Sequence, residues 1–300
     1  YNNNLYLEDF LVLDESGNRT IVNGSISNTY LSDFYLNLNM QVDNMLALNT
    51  NSIQNEVFYG TIYASGSVGI TGPPNSVNMN IVGTTGQNTA IYLPLYNARE
   101  VTSSDFITFI TKADQEEDNF PDVQAQQIRG LELEMDVNIT PDAVVQLIFD
   151  PQVGDIIETS GQGNLRMSLD QTNGFRMFGD VELMRGDYLF TLQNVINKRF
   201  LIRPGGKIIF NGTPTDATID LDAIYTTRTS PYNLYPGDVE DQNLKRRIPV
   251  ECHLNLQGDL RAPTITPGIE MPTAEPETRN LLENSTSTEE ELMRQFLSLL

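Results

Sequence analysis

Along most of the chain apolar and polar residues alternate one by one. Leu131, Leu133, Met135, Val137 and Ile139 fall on one side, and Glu132, Glu134, Asp136 and Asn138 on the other. Successive strand side chains point to opposite faces, so this spacing predicts a half-buried strand with an acidic wet face. The same alternation predicts strands at 34–42, where the polar side carries neutral amides, at 217–225, and at 250–257, where Cys252 joins the apolar set and His253 the polar one. Shorter alternations at 57–64, 67–70, 77–81, 89–93, 144–149, 163–170 and 174–181 continue the series.

Glycine, proline and Asx residues punctuate these runs. Asp14-Glu15-Ser16-Gly17-Asn18 predicts the turn of a hairpin spanning 5–26, and it lacks the spaced ligands and closing Glu of a calcium loop. Val181 and Leu183 sit out of register with Met184, Tyr188, Phe190 and Leu192, a slip that a β-bulge at Arg185-Gly186 would absorb. Arg203-Pro204-Gly205-Gly206-Lys207 reads as a reversing turn, and Asn211-Gly212 as a second. Helical signals are sparse. A short helix is expected near 103–110, followed by an acidic loop, and a capped amphipathic helix over 286–300 with Leu292, Phe296 and Leu299 at helical spacing. A proline-rich exit at 263–276 precedes that helix.

Composition narrows the function classes. The formal net charge is -22, and the only basic cluster is Lys245-Arg246-Arg247 beside an acidic segment, so a nucleic-acid backbone is not the expected partner. There is no Trp, one Cys and one His, which removes Cys/His metal centres, and the single histidine a nucleophilic triad would need, His253, reads as a surface residue between Glu251 and Asn255. The GxSxG elbow is absent, and the glycines between 60 and 86 are too irregular for a dinucleotide loop. Paired carboxylates such as Asp220 with Asp222 read as i, i+2 neighbours on a solvated sheet face. No cofactor, no metal and no enzymatic activity are expected. The chain starts at Tyr1 without a leader and ends inside a helix, which suggests a piece of a longer protein.

Many one-sided strands with few helices leave the apolar faces needing a home: a sandwich, a solenoid, or a trough open to an apolar ligand. The runs GDVELMRGDYLFTLQ, FLIRPGGKIIFNGTPTDATIDLDAIY and LNLQGDLRAPTI, with the terminal LMRQFLSLL, resemble the C-terminal domain of the TamB family in the AsmA-like superfamily. The resemblance is best over 131–300, and some pieces look like versions from the Bacteroidetes. It implies an all-β, elongated, curled U-shaped (taco-like) antiparallel or mixed sheet with an apolar concave groove and a short C-terminal helix. It divides the chain into a repetitive β region over 1–100, a helix and acidic loop over 101–130, and the TamB domain over 131–300.

It also implies a periplasmic protein held to the inner membrane by an anchor outside this chain, its C-terminal end near the outer membrane. The expected partner is an Omp85-family, TamA-like outer-membrane protein. Phospholipid acyl chains and nascent outer-membrane protein strands are the expected cargo. From their single-faced alternation, Leu131, Leu133, Met135, Val137, Ile139, Ile219, Leu221, Ala223, Tyr225, Val250, Leu254 and Leu256 are the groove candidates, and Leu292, Phe296 and Leu299 the partner-docking candidates. Two other readings compete with the conduit: a strand-templating or docking module without lipid transport, and an extracellular carbohydrate-binding β protein.

Overall fold

A computed structural model describes residues 2–14, 16–30, 32–54, 58–95, 130–150, 154–192, 196–213, 216–234 and 245–300. The helix and acidic loop expected over 101–130 lie outside these residues except for Gly130. The strands are β1 (Asn2–Leu13), β2 (Arg19–Thr29), β3 (Ser32–Thr50), β4 (Tyr59–Gly72), β5 (Val77–Thr85), β6 (Ala90–Pro94), β7 (Leu131–Ile139), β8 (Val144–Asp150), β9 (Asp155–Asp170), β10 (Gly174–Leu192), β11 (Ile196–Ile202), β12 (Lys207–Gly212), β13 (Ala217–Thr229), β14 (Ile248–Asp259) and β15 (Thr264–Glu270). Two helices close the chain, α1 (Pro276–Ser285) and α2 (Glu289–Leu299).

All fifteen strands belong to one large curved sheet. The hairpin turn at 14–18 forms as its residues dictate: the Asp14 carboxylate accepts from the Ser16 and Asn18 amides, and Gly17 takes φ 84°. Antiparallel pairing runs from β1 to β5, and β5 then pairs in parallel with β7. Strands β4, β5, β7, β9, β8 and β6 close a ring of pairings. Register explains the ring. β5 and β6 lie end to end along β4, and β7 and β8 end to end along β9, so the ring encloses an interruption between two long strands. Thr85 and Thr140 bridge that interruption, the Thr140 amide donating to Thr85 Oγ1 at 2.9 Å.

Segment 203–206 departs from the expected reversing turn. β11 and β12 both run antiparallel to β10, against 187–192 and 177–182 respectively, so the chain keeps its direction and only steps across a gap. The Gly205 amide donates to the Leu183 carbonyl, and the Leu183 amide donates to Gly206, which ties the step to β10. Gly206 has no room for a Cβ, which would lie 2.9 Å from Leu221 Cβ. The expected bulge is present one residue early, between Leu183 and Arg185. It leaves Met184 exposed while Leu183 and Tyr188 both point inward, so Met184 does not share the face of Tyr188.

The C-terminal elements follow local rules. β15 carries Pro267 and is an edge strand, where a missing amide donor is tolerated. Pro276 opens α1, where its fixed φ suits a first turn. Thr288 caps α2: its hydroxyl oxygen accepts from the Glu291 amide at 3.3 Å and its hydroxyl donates to the Glu291 carboxylate at 3.1 Å. None of the described helices is long and apolar enough to cross a membrane.

Candidate functional site: one apolar face across the sheet

Alternation within a strand becomes a surface when register aligns it across strands. Leu38, Ile70, Met79, Leu133 and Leu169 are successive cross-strand neighbours from β3 to β9. Met40, Val68, Ile81, Met135, Met167 and Met177 form the next row. The same face continues through Val181, Ile208 and Ile219, and through Leu221, Leu256 and Ile265 to the last strand. It is lined almost wholly by aliphatic and thioether side chains.

Burial along this face is graded. Leu131, Leu133, Met135, Val137 and Ile139 are half-buried, as are Leu36, Leu38, Met40 and Val42 of β3 and Val77, Met79 and Ile81 of β5. Ile219, Leu221, Ala223, Val250, Leu254 and Leu256 are excluded from solvent, and Tyr225 is half-buried. The difference comes from what covers them. The face of β8–β14 curls over a common core containing Ile157, Leu183, Phe200 and Leu254, and α2 lays Phe296 into it. The Phe296 and Phe200 rings stack with centroids 6.3 Å apart. Of the docking candidates, Phe296 is therefore part of this core, Leu299 is half-buried against it, and Leu292 is half-buried.

The opposite face carries most of the polar residues, with Val82 and Phe178 exposed among them. An open hollow of about 1100 Å³ lies there, walled by Gln41, Ser67, Thr84, Asp136, Asn138, Asn164 and Arg166. Its floor is the row Gly66, Gly83, Val137, Leu165 and Gly179. Gly66 (φ 154°) and Gly179 (φ 124°) adopt backbone that L side chains rarely take, and a Cβ on either would lie 2.1 Å from a neighbouring carbonyl oxygen. Of the groove candidates only Val137 borders this hollow. Arg166 and Asp136, cross-strand neighbours on β9 and β7, pair at its wall at 3.2 Å, both well exposed.

One titratable pair was not legible beforehand. Tyr188, inside the core, donates its hydroxyl to Asp155, and burial pushes the Asp155 carboxyl up to about 6. The Tyr188 hydrogen bond opposes that shift, and Asp150, opposite it in the β8–β9 pairing, adds to it. Because the folded protein holds this proton more tightly than the unfolded chain, its stabilising contribution is full below pH 3.8 and is lost as pH rises through 6. Discounted for partial solvent access, the change is on the order of 1–2 kcal/mol. Denaturant titrations between pH 4 and 7 should show this decline, and Asp155→Asn should flatten it.

Comparison with known proteins agrees with this architecture. The TamB C-terminal domain matches residues 8–300, nearly the whole chain. No curated protein matches it. Members of the family work in a module with Omp85-type partners in the bacterial envelope. The chain belongs to the TamB C-terminal domain family, and with it to the translocation and assembly module that serves outer-membrane biogenesis.

Proposed function

We propose that the apolar face is a lipid path: the half-buried rows of β3–β7 receive phospholipid acyl chains, and the covered rows of β11–β14 form its closed end. The observation that supports this reading is the series of aliphatic cross-strand rows on one face between Leu38 and Ile265, open where Leu133 lies and covered where Leu221 lies. Each methylene transferred from water to such a surface is favourable by up to ~0.8 kcal/mol. A headgroup at the open side keeps its hydration, which avoids the cost of burying a charge. The path would deliver towards an Omp85-type partner, from a periplasmic protein anchored in the inner membrane.

Leu133→Arg tests the proposal in the full-length protein. Leu133 is half-buried, so the variant is expected to fold, as circular dichroism would show, and to fail to complement an envelope defect caused by loss of the protein. A folded variant with full complementation would contradict the lipid path.

A second reading is strand templating by β1, which pairs only with β2 among the described strands. Leu5, Tyr6, Phe10 and Leu11 are each more than half exposed on it, on both faces. Such an edge can add a strand from another chain. Removal of 286–300 separates this family of ideas from partner docking by the terminal helix: lost partner binding with lipid binding intact favours docking.

A further inference from the structure

Among the described residues one group of metal-ligating side chains comes together: Glu251, His253 and Glu270. The alternation on β14 puts His253 on the polar face as a surface residue, yet its side chain is only 13% exposed, and Nε2 is buried without a hydrogen-bond partner. Register accounts for this. Glu251 and His253 are two residues apart on β14, and β15 sets Glu270 directly opposite Glu251 and Gly268 opposite His253. The two carboxylates therefore close over the imidazole.

The resulting geometry suits a cation. Nε2 of His253 lies 3.6 Å from Oε2 of Glu251 and 3.5 Å from Oε2 of Glu270. Around a tetrahedral zinc ion with bonds of ~2.0–2.2 Å, neighbouring ligand atoms are ~3.3–3.5 Å apart, close to these separations. Like charges placed opposite each other on neighbouring strands are unfavourable. Arg203, whose Nη2 is 3.3 Å from Glu251 Oε2, offsets one of the two. A net charge of one carboxylate then remains, while both carboxylates and the imidazole nitrogen still offer a cation three ligand atoms. An imidazole with two carboxylates fits zinc better than calcium, which takes oxygen donors in larger number.

We propose that Glu251, His253 and Glu270 bind a divalent ion of the zinc class, with the remaining coordination position towards solvent on the side of Glu270, the most exposed of the three. The ion clips edge strand β15 to β14, and β15 in turn carries the packing of α2. This departs from the expectation that the chain holds no metal. It stands independently of the lipid path, since these residues lie on the outward face.

Zinc chloride titrated calorimetrically into the purified 300-residue protein tests it, alongside His253→Gln, Glu270→Gln and a control, Glu134→Gln, on the distant acidic row of β7. The expected result is one saturable zinc site, weakened at least ~10-fold in His253→Gln and Glu270→Gln and unchanged in Glu134→Gln. Zinc, and not calcium, should also raise the thermal midpoint of the wild type and leave that of Glu270→Gln where it is. Absence of saturable binding by the wild type overturns the proposal, as does wild-type affinity in the two site variants. Should His253→Gln fail to fold, Glu270→Gln decides the matter alone, because Glu270 is exposed and its isosteric amide leaves the fold intact.

Discussion

Leu221→Arg is expected to unfold the C-terminal half of the sheet. Leu221 is 1% exposed, with Leu256 opposite it on β14 and the backbone of Gly206 against its Cβ. An arginine there has neither a partner carboxylate on its face nor a route to water, and an unpaired buried charge costs several kcal/mol. Overpacking against Gly206 adds to this. Set against a total stability of ~5–15 kcal/mol, the variant should aggregate or show no cooperative urea transition by circular dichroism. Leu221→Met, which conserves volume, should cost less than ~1.5 kcal/mol. An arginine variant as stable as the wild type would mean that the face is open at β13 and that the closed end lies elsewhere.

The second large effect concerns the terminal helix. Phe296 fills a space against Phe200 within the core, and its truncation leaves a cavity of aromatic size. Phe296→Ala should remove ~3–5 kcal/mol from the docking of α2. Because α2 is the last element and packs mainly on β15, the expected outcome is undocking and not global unfolding. Amide exchange in 289–300 should lose its protection while β9–β14 keep theirs, and Phe200 should become reachable by an apolar dye. Unchanged protection in α2 would show that the Thr288 cap and Leu297, Leu299 and Leu300 hold the helix without Phe296.

Much of this was legible in the alternation of residues, and the rest was not, for physical reasons. Strand β7 has the ends that the spacing of Leu131 to Ile139 predicts, because a one-sided pattern over nine residues fits no other element. The capped final helix and the 14–18 hairpin turn follow from side chains that bond their own backbone. Alternation, however, fixes a face and not a neighbour. It could not reveal that β5 pairs with β7 across a long stretch of chain, nor that β11 and β12 lie in line.

The prolines at 263–276 hid two elements. Pro267 sits in an edge strand and Pro276 at a helix start, the two places where the missing amide costs little. The groove candidates were identified as one set because they share a face, yet their burial differs between β7 and β13–β14, which depends on curvature and on α2. His253 reads from alternation as a surface residue for the same reason, since the residue that covers it, Glu270, is brought there by register alone.

The central claim is that one apolar face is open to lipid at β7 and closed at β13. A leucine-sized photocrosslinking amino acid placed singly at Leu133, at Leu221 and at the outward Glu134 tests it most directly, with mass spectrometry of what is crosslinked in the protein purified from cell membranes. The account predicts phospholipid on the probe at 133 and none at 221 or 134. Protein free of lipid at 133, or lipid captured equally at 134, would contradict it.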